Sequence, residues 1–425
     1  MYAFGLGALV LLVILVFSLP RQQAAIPFLL CVCYLTLGLQ LNLGGLHLPA
    51  FRIMAIASFV RVAARRELSE IRLTKIDIAF MSWAVVGLIA YSILYGTSQA
   101  FIYKSALFME AMGSYFFFRS IIKDLTDVTR IFKYVGIIII PLSIFMLYES
   151  RTMHNLFAGF GGTADELDIR NGKLRCQGPF RHPILAGMFG ATVMPFIFCN
   201  WWREKRSTLF FAVSFIAAVI ITYTATTSGA IMSVCYEIIA FLCWFCRDKM
   251  SIIRRSIVIA IIALNFIMKA PIWYVIARVS DITGGGGYHR AYLMDIAFRN
   301  IRSWWLIGTT YTADWFPYQL AVDPNKSDIT NQYLAQGVNG GLITMILFIA
   351  VIVYCYKSIG SSLKALDSAS FGDKFIVWTL GVTLFGHVMG FISVSYFDQI
   401  NGMWYMLLAM TSSVGYSLQA SGKIA

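Results

Sequence analysis

The chain has 425 residues, of which 59% are hydrophobic and only 13% are charged, and its formal net charge is +13. This balance excludes a soluble globular protein, because so few charged residues cannot cover a surface of ordinary size. The basic residues are spread along the whole chain, which argues against a nucleic-acid partner. We therefore predict an integral membrane protein.

Apolar runs long enough to cross a bilayer recur throughout the sequence. We predict an all-α polytopic membrane protein with a single integral membrane domain over 1–425, because no run shows the alternation of a barrel strand. We expect thirteen spans, or twelve if the short segment 49–63, which carries Arg52, does not cross. They cover about 2–20, 24–41, 49–63, 77–96, 101–119, 128–148, 183–201, 207–224, 228–246, 252–272, 338–357, 375–395 and 400–418.

Basic residues concentrate in alternate connections between the predicted spans. One set of connections holds 21 of the 34 lysines and arginines, whereas the short connections of the other set hold none. The positive-inside rule then places the amino terminus outside and the carboxyl terminus in the cytoplasm. Two long extracytoplasmic loops follow from this orientation, 149–182 and 273–337, and we expect the polar site of the protein in them.

The first of these loops ends in the sequence RCQGPFRHPILAG, residues 175–187. Gly178-Pro179 predicts a turn, and Pro183 suits the first turn of the next helix. The turn would deliver Arg175, Arg181 and His182 to a helix amino terminus, where backbone N–H groups favour an anion. Arginine adds a planar fork that holds phosphate oxygens in pairs. Non-specific contact with lipid headgroups is the alternative, above all for Arg181.

The second loop contains a glycine run followed by an amphipathic helix from Tyr288. Arg290 stands at the start of this helix, which favours contact with a ligand. His289 is the first candidate for a general base, with Asp281 and Asp398 behind it, although His289 could equally be a surface residue. Trp304 and Trp305 fit an anchoring belt at the membrane interface.

No metal site or cofactor is expected, because no histidine has a partner at ligand spacing and the outer loops lack a paired-aspartate motif. The glycine run lacks the lysine and the strand-to-helix context of a phosphate-binding loop. Cys176 is the one cysteine in an outer loop, so no disulfide is expected within these loops. A membrane-impermeant thiol reagent should reach Cys176 from outside unless the fold shields it.

Four stretches in order resemble the O-antigen ligase and O-antigen polymerase superfamily of bacterial membrane glycosyltransferases. They are RCQGPFRHPI, TTSGAIMS, the helix from Arg290 to WWLIGTTYT, and TNQYLAQGVNGGL. The second stretch lacks the arginine of the family. The resemblance covers roughly 170–345, about two-fifths of the chain. Ligases carry a histidine where this chain has Thr330, Asn331 or Gln332, which favours a polymerase over a ligase.

The resemblance implies a polymerase of a cell-surface or secreted polysaccharide in the bacterial cytoplasmic (inner) membrane, with its active site facing the periplasm or the outside. It would transfer a glycan, without a metal or cofactor, from a polyprenyl-diphosphate donor to a sugar hydroxyl of another lipid-linked repeat. Together with the patterns above, it predicts catalytic roles for Arg175, Arg290 and His289. The predicted substrate-binding residues are Arg181, His182, Asn331 and Gln332.

The expected partners are a polyprenyl-diphosphate-linked oligosaccharide and membrane lipid, with a chain-length regulator and a flippase of the same pathway, and no nucleic acid. The alternatives are an O-antigen ligase to a lipid acceptor, a peptidoglycan polymerase or, in a different class, a transporter or flippase of lipid-linked oligosaccharide. A flippase needs charges distributed through its spans, whereas this chain concentrates arginines in two outer loops. The pattern therefore favours a transferase.

Overall fold

The computed structural model of the chain describes residues 2–43, 46–163, 168–170, 172–203, 207–278, 287–315, 321–323 and 326–421. Most of these residues are helical. The helices are α1 (Tyr2–Ser18), α2 (Ala25–Tyr34), α3 (Ala50–Ala64), α4 (Lys75–Tyr95), α5 (Ser98–Ile121), α6 (Leu125–Thr152), α7 (Pro183–Arg203), α8 (Thr208–Thr224), α9 (Ser228–Leu242), α10 (Met250–Ile267), α11 (Gly287–Arg299), α12 (Ile301–Trp304), α13 (Gln332–Ala365), α14 (Phe371–Gly390) and α15 (Ile400–Ala420).

Short elements fill the connections. Three antiparallel hairpins pair β1 (Gln40–Leu43) with β2 (Leu46–Pro49), β3 (Asp168–Arg170) with β4 (Lys173–Arg175), and β5 (Ala321–Asp323) with β6 (Lys326–Ser327). Short 3₁₀ turns occur at Arg21–Gln23, Glu67–Glu70, Ala158–Phe160, Cys243–Lys249, Ile272–Tyr274 and Ala313–Trp315. The hairpins are too small to form a sheet layer, so the described architecture is all-α.

Five stretches of the described chain are helical, long and apolar enough to cross a membrane: Lys75–Tyr95, Leu125–Thr152, Pro183–Trp202, Ser228–Ile267 and Gln332–Ala365. The apolar helices α1 and α8 are shorter. Every one of the thirteen predicted spans overlaps a helix. The number of these helices that cross and their orientation stay predictions.

The predicted span 24–41 is wrong in length, because its helix α2 ends at Tyr34. Close backbone contact explains the early end. A Cβ added to Gly38 would lie 2.1 Å from the carbonyl carbon of Gly161 and 2.2 Å from the amide nitrogen of Gly162. The chain after Tyr34 therefore turns to meet the segment that follows α6, and β1 begins at Gln40.

One end of the bundle carries a buried polar network that joins α4, α5 and α15. The Asp77 carboxylate, which is fully buried, accepts hydrogen bonds from the Tyr115 and Ser412 hydroxyls and from Arg119 Nε. Thr74 caps α4 by accepting a hydrogen bond from the Asp77 amide, while Asp77 Oδ2 accepts one from the Thr74 amide at 2.6 Å. We call this the closed end.

The opposite end collects the connections that follow α2, α6, α8, α12 and α14, and we call it the loop-rich end. Hydrogen bonds between the connections define it: Gln399 Nε2 donates to Leu35 O at 2.9 Å, and Ser395 Oγ donates to Ile329 O at 2.5 Å. These connections hold or border the predicted site residues Arg175, Arg181, His182, Asn331 and Gln332. His289 and Arg290 lie on α11, before α12. The charge pattern of the sequence predicts that the loop-rich end is extracytoplasmic.

A kink in α13 receives the segment after α12. Gly341 has a φ of +79° inside the helix, and a Cβ there would lie 2.2 Å from Leu306 O. Beside the kink, the Leu342 amide donates to Trp305 O and the Thr309 amide donates to Val338 O, both at 2.8 Å. These contacts fix the segment after α12 against a helix of membrane-spanning length.

Candidate functional site

The turn after β4 is held by a buried carboxylate at the end of α6. Glu149, which is 1% exposed, accepts hydrogen bonds from the Gln177 amide through Oε1 and from the Gly178 amide through Oε2, both at 2.9 Å. Gly178 has a φ of +55°, a conformation that glycine adopts without steric cost. Glu149 therefore fixes the turn that the Gly178-Pro179 pair predicts.

Two side-chain amides bond the carbonyl groups of the same turn. Asn155 Nδ2 donates to Gly178 O at 2.9 Å, and Gln399 Nε2 donates to Pro179 O at 3.3 Å. Asn155 and Gln399 are both almost completely buried. Because α6, the loop after it and the loop before α15 all contribute, the turn is part of the folded core.

Arg175 ends β4 just before this turn and is only 7% exposed. The next residue, Cys176, donates its amide hydrogen to Thr224 O at 3.0 Å and is fully buried, and burial raises the pKa of its thiol to about 12. The fold thus shields Cys176 from a thiol reagent. The backbone that follows Arg175 is thus fixed by hydrogen bonds at Cys176, Gln177 and Gly178.

His182 lies at the start of α7. Its Nδ1 accepts a hydrogen bond from the Ile184 amide at 3.1 Å, and its carbonyl oxygen accepts one from the Leu185 amide at 3.0 Å. The imidazole thereby accepts a hydrogen bond from one of the helix N–H groups that we predicted to bind an anion. An Nδ1 that accepts carries no proton, so the proton of a neutral His182 is on Nε2.

Arg181 is exposed and interacts electrostatically with Asp398 and with Tyr103. Asp398 lies between α14 and α15 with a φ of +57°. Burial raises the pKa of the Asp398 carboxyl to about 6, and the Arg181 guanidinium acts in the opposite direction. Arg181 therefore has a carboxylate neighbour within the fold.

The same cluster includes an ion pair between α3 and α5. Arg52 Nε lies 2.6 Å from Glu110 Oε1, and Arg52 also donates to His47 O at 2.7 Å. Glu110 is close enough to Asp398 for the two carboxylates to repel each other. Charged groups from three parts of the chain thus meet near Arg181.

The helix α12 packs against the bundle through one tryptophan. Trp304 is fully buried, its Nε1 donates to Ala297 O at 2.8 Å, and its ring lies against Gly337 of α13. The expectation that Trp304 anchors at an interface is therefore wrong, because the kinked helix provides a pocket for it. Trp305 is 52% exposed, as an anchor would be.

Arg290 lies in the first turn of α11 and is half-buried, as is His289. Arg290 is near enough to Tyr236 of α9 to interact with its hydroxyl electrostatically. Arg299, at the other end of α11, is 77% exposed and pairs with Asp295 at 2.9 Å one turn earlier. At the start of α11, the cation Arg290 therefore faces the rest of the bundle, whereas Arg299 at its other end does not.

Asn331 and Gln332 both bond the scaffold at the start of α13. Asn331 Oδ1 caps the helix by accepting from the Leu334 amide at 3.0 Å, and Asn331 Nδ2 donates to Ile392 O. Gln332 Oε1 accepts from the Tyr396 amide at 2.8 Å. The role of these two residues in substrate binding stays a prediction, and Gln332 also lines the cavity described below.

Asp328 was not predicted from the sequence as a site residue. Its electrostatic neighbours belong to two cationic segments, one with Arg181 and His182 and the other with His289 and Arg290. Asp328 follows β6 and is exposed. Although its surface is accessible, desolvation by the surrounding protein raises the pKa of its carboxyl, while electrostatic interaction with His182 and His289 lowers it. The start of α7 and the start of α11 are therefore each near enough to Asp328 to interact with its carboxyl electrostatically.

A cavity of about 370 Å³ opens beside Asp328. Its wall combines α4, α5, α13 and the connections that follow α12, β6 and α14. The lining residues used below are Tyr91, Tyr103, Lys104, Asp328, Gln336, Asn339 and Ser395. Lys104 Nζ lies 5.3 Å from the centre of the Tyr91 ring.

Electrostatic interactions therefore link His182 and His289 with Asp328, Arg181 with Asp398, and Arg290 with Tyr236 of α9. Asp281 lies outside the described residues. Within the described part of the chain, no group of three or more histidine, cysteine or acidic side chains is arranged to hold a metal ion. Asp328 and Glu149 were missed because their partners are distant in sequence, although Asp328 stands three residues before the helix cap Asn331 in SDITNQYL.

The sequence matches no protein-family model and no curated protein sequence.

Proposed function

We propose that the chain is a polymerase of a cell-surface or secreted polysaccharide in the bacterial inner membrane. Its donor is a glycan on polyprenyl diphosphate, and its acceptor is a sugar hydroxyl of another lipid-linked repeat. The reaction takes place at the loop-rich end, which faces away from the cytoplasm.

The observation that carries this proposal is that Asp328 interacts electrostatically with one histidine from each of two cationic segments. His182 follows Arg181 on the first segment, and His289 precedes Arg290 on the second. A diphosphate spreads its charge over several oxygens, so cations from two separate segments suit it better than one patch does. The cavity beside Asp328 leaves room for a second substrate.

The chemistry of the donor fits these residues. The diphosphate leaves as an anion when the glycosidic bond to its sugar breaks, and fixed arginines stabilise the charge that develops. Arg175 is buried in a turn held by Glu149, so it is already oriented before the substrate arrives. The polyprenyl tail stays in the bilayer beside helices of membrane length.

A deletion strain tests the proposal. Loss of a polymerase leaves single repeats on the cell surface, and the chain supplied from a plasmid restores long glycan. A strain that shows no surface repeat at all would point to a flippase. Long glycan that accumulates without its final lipid acceptor would point to a ligase.

A further inference from the structure

The cavity at the loop-rich end has the size of a small-molecule site. Its volume of about 370 Å³ lies within the range of roughly 300–1,000 Å³ that is common for ligand pockets. Residues of α4, α5 and α13 form its wall, together with Asp328 and Ser395 from two connections. The cavity is therefore built by the scaffold and does not depend on one loop.

The lining offers both donors and acceptors for hydroxyl groups. Gln336 Oε1 accepts from Trp83 Nε1 at 2.9 Å, which leaves its amide nitrogen to donate. Asn339 Nδ2 donates to Ala335 O at 2.8 Å, which leaves its oxygen to accept. Tyr91 and Tyr103 add aromatic rings. Planar amides beside aromatic rings suit a pyranose, which has a rim of hydroxyl groups and apolar C–H faces.

Asp328 is the carboxylate of this cavity, and it stands where the cavity meets the two cationic segments. It is exposed, so a ligand in the cavity can reach it. His182 and His289 both act on it electrostatically. A sugar in the cavity is thus close to the place where we expect the donor diphosphate.

We propose that the cavity binds the acceptor sugar and that the Asp328 carboxylate takes the proton of the attacking hydroxyl. This inference rests on the proposed function. The acceptor oxygen forms a bond to the anomeric carbon of the donor, and the bond between that carbon and the phosphate oxygen breaks. The electron pair leaves with polyprenyl diphosphate, and the proton passes to Asp328.

The surroundings of Asp328 suit a base. Burial raises the pKa of its carboxyl above the usual 3.8, and a higher pKa makes the carboxylate a stronger proton acceptor. Electrostatic interaction with His182 and His289 opposes this effect of burial. His289, the base predicted from sequence, here becomes a positioning residue that tunes Asp328.

The test uses the full-length protein in liposomes, with lipid-linked single repeat extracted from a strain that lacks the chain. Asp328→Asn should lower elongation about 100-fold or more, as expected for loss of a general base. Asp328→Glu, which keeps a carboxylate, should recover part of the activity. Asp314→Asn is the matched control, because Asp314 is an exposed aspartate of the same segment that pairs with Tyr311.

A pH profile separates Asp328 from His289 as the base. The rate should fall on the acid side as Asp328 takes up a proton. His289→Gln removes a positive charge that lowers the pKa of Asp328, so the acid limb should move to higher pH while turnover persists. If His289 is the base, this variant instead loses most of its turnover, and the inference is overturned.

The outcomes distinguish the two proposals. Elongation by the wild type and by Asp328→Asn at similar rates overturns the role of Asp328 and leaves the polymerase intact. No elongation by the wild type, with the protein folded, overturns both. Melting temperatures of all variants in detergent are measured beside the rates, and Asp328→Glu keeps the test decisive if Asp328→Asn does not fold.

Discussion

Helix α5 carries a cation near each of its ends, and the two have opposite surroundings. At the closed end, the three guanidinium nitrogens of Arg119 donate to Asp77 Oδ1 at 3.3 Å, Ser413 Oγ at 3.2 Å and Arg72 O at 3.1 Å. At the loop-rich end, Lys104 faces the cavity and the ring of Tyr91. No carboxylate of the described residues lies within ion-pairing distance of Lys104.

The comparison separates two uses of a charge in the bundle. A cation whose donors are all satisfied within the chain holds helices together, and its removal leaves a buried anion without compensation. A cation that faces a cavity can still bond a ligand. The two ends of one helix therefore predict different effects of the same kind of substitution.

Arg119→Ala should give the largest effect, and it acts on stability. Breaking a buried ion pair costs about 3–5 kcal/mol, because Asp77 stays buried with only hydroxyl groups and the Thr74 amide as donors. The variant should therefore fail to accumulate as folded protein, measured by size-exclusion chromatography of detergent extracts. Lys123→Ala is the control, since its partner Glu70 is 67% exposed and such pairs contribute little. Normal accumulation of folded Arg119→Ala would contradict the structural role of the cation at the closed end of α5.

Arg290→Ala should act on activity and not on accumulation. Loss of a group that stabilises the leaving diphosphate typically costs about 100-fold or more, and Arg290→Lys should also be costly because it loses the planar fork. Glycan length in a complemented deletion strain is the measurement, with protein level checked by immunoblot. The same loss is expected for Arg175→Ala, although its burial adds a cost in stability.

Arg299→Ala is the matched control for Arg290, because it lies on the same helix and is 77% exposed. It should give glycan of normal length. Arg181→Ala should be milder than Arg290→Ala if Arg181 mainly meets lipid headgroups or Asp398. Normal glycan from both Arg175→Ala and Arg290→Ala, at normal protein levels, would show that the two arginines do not hold the donor.

Lys104→Met should give a smaller loss, about tenfold, without loss of folded protein. Methionine keeps most of the apolar length of the side chain but removes the charge from the cavity and the contact of Nζ with the Tyr91 ring. The rate of elongation in liposomes is the measurement. A fall in melting temperature comparable to that of Arg119→Ala would mean that Lys104 belongs to the scaffold after all.

Asp398→Asn should change only the pH dependence of stability. The pKa of Asp398 is raised to about 6, so this carboxyl destabilises the fold increasingly as the pH rises from about 4 to 6 and fully above that. The shift corresponds to at most about 3 kcal/mol. Asparagine tolerates the left-handed conformation of this position.

The variant should therefore melt at a higher temperature than the wild type at pH 8, and the two should converge toward pH 4. The melting temperature in detergent across this pH range is the measurement. An advantage of the variant that is equally large at pH 4 would contradict the assignment, because a protonated Asp398 resembles asparagine.

The helices could be predicted from the sequence and most of the site contacts could not. Apolar runs locate helices because the pattern is local. They overestimate the length of α2, which ends where Gly38 meets Gly161, and they extend past the ends of α10 and α14. The turn around Gly178-Pro179 was likewise local. The hydrogen bonds of this turn with Glu149 and Gln399 could not be predicted, because these partners are distant in the sequence.

Asp328 shows the same limit for the candidate site. Its position before a helix cap can be read from the sequence, but its meeting with His182 and His289 depends on how three connections pack. The burial of Trp304 depends on the kink at Gly341 and on the absence of a side chain at Gly337. Neither contact leaves a periodic pattern that a single sequence could reveal.

The central claim is that the loop-rich end joins lipid-linked glycans, and purified protein in liposomes tests it most directly. Given lipid-linked single repeat alone, the wild type should produce a ladder of longer glycans and release one polyprenyl diphosphate for each glycosidic bond formed. Movement of the repeat across the bilayer without bond formation, or a single transfer to a different lipid acceptor, would contradict the account.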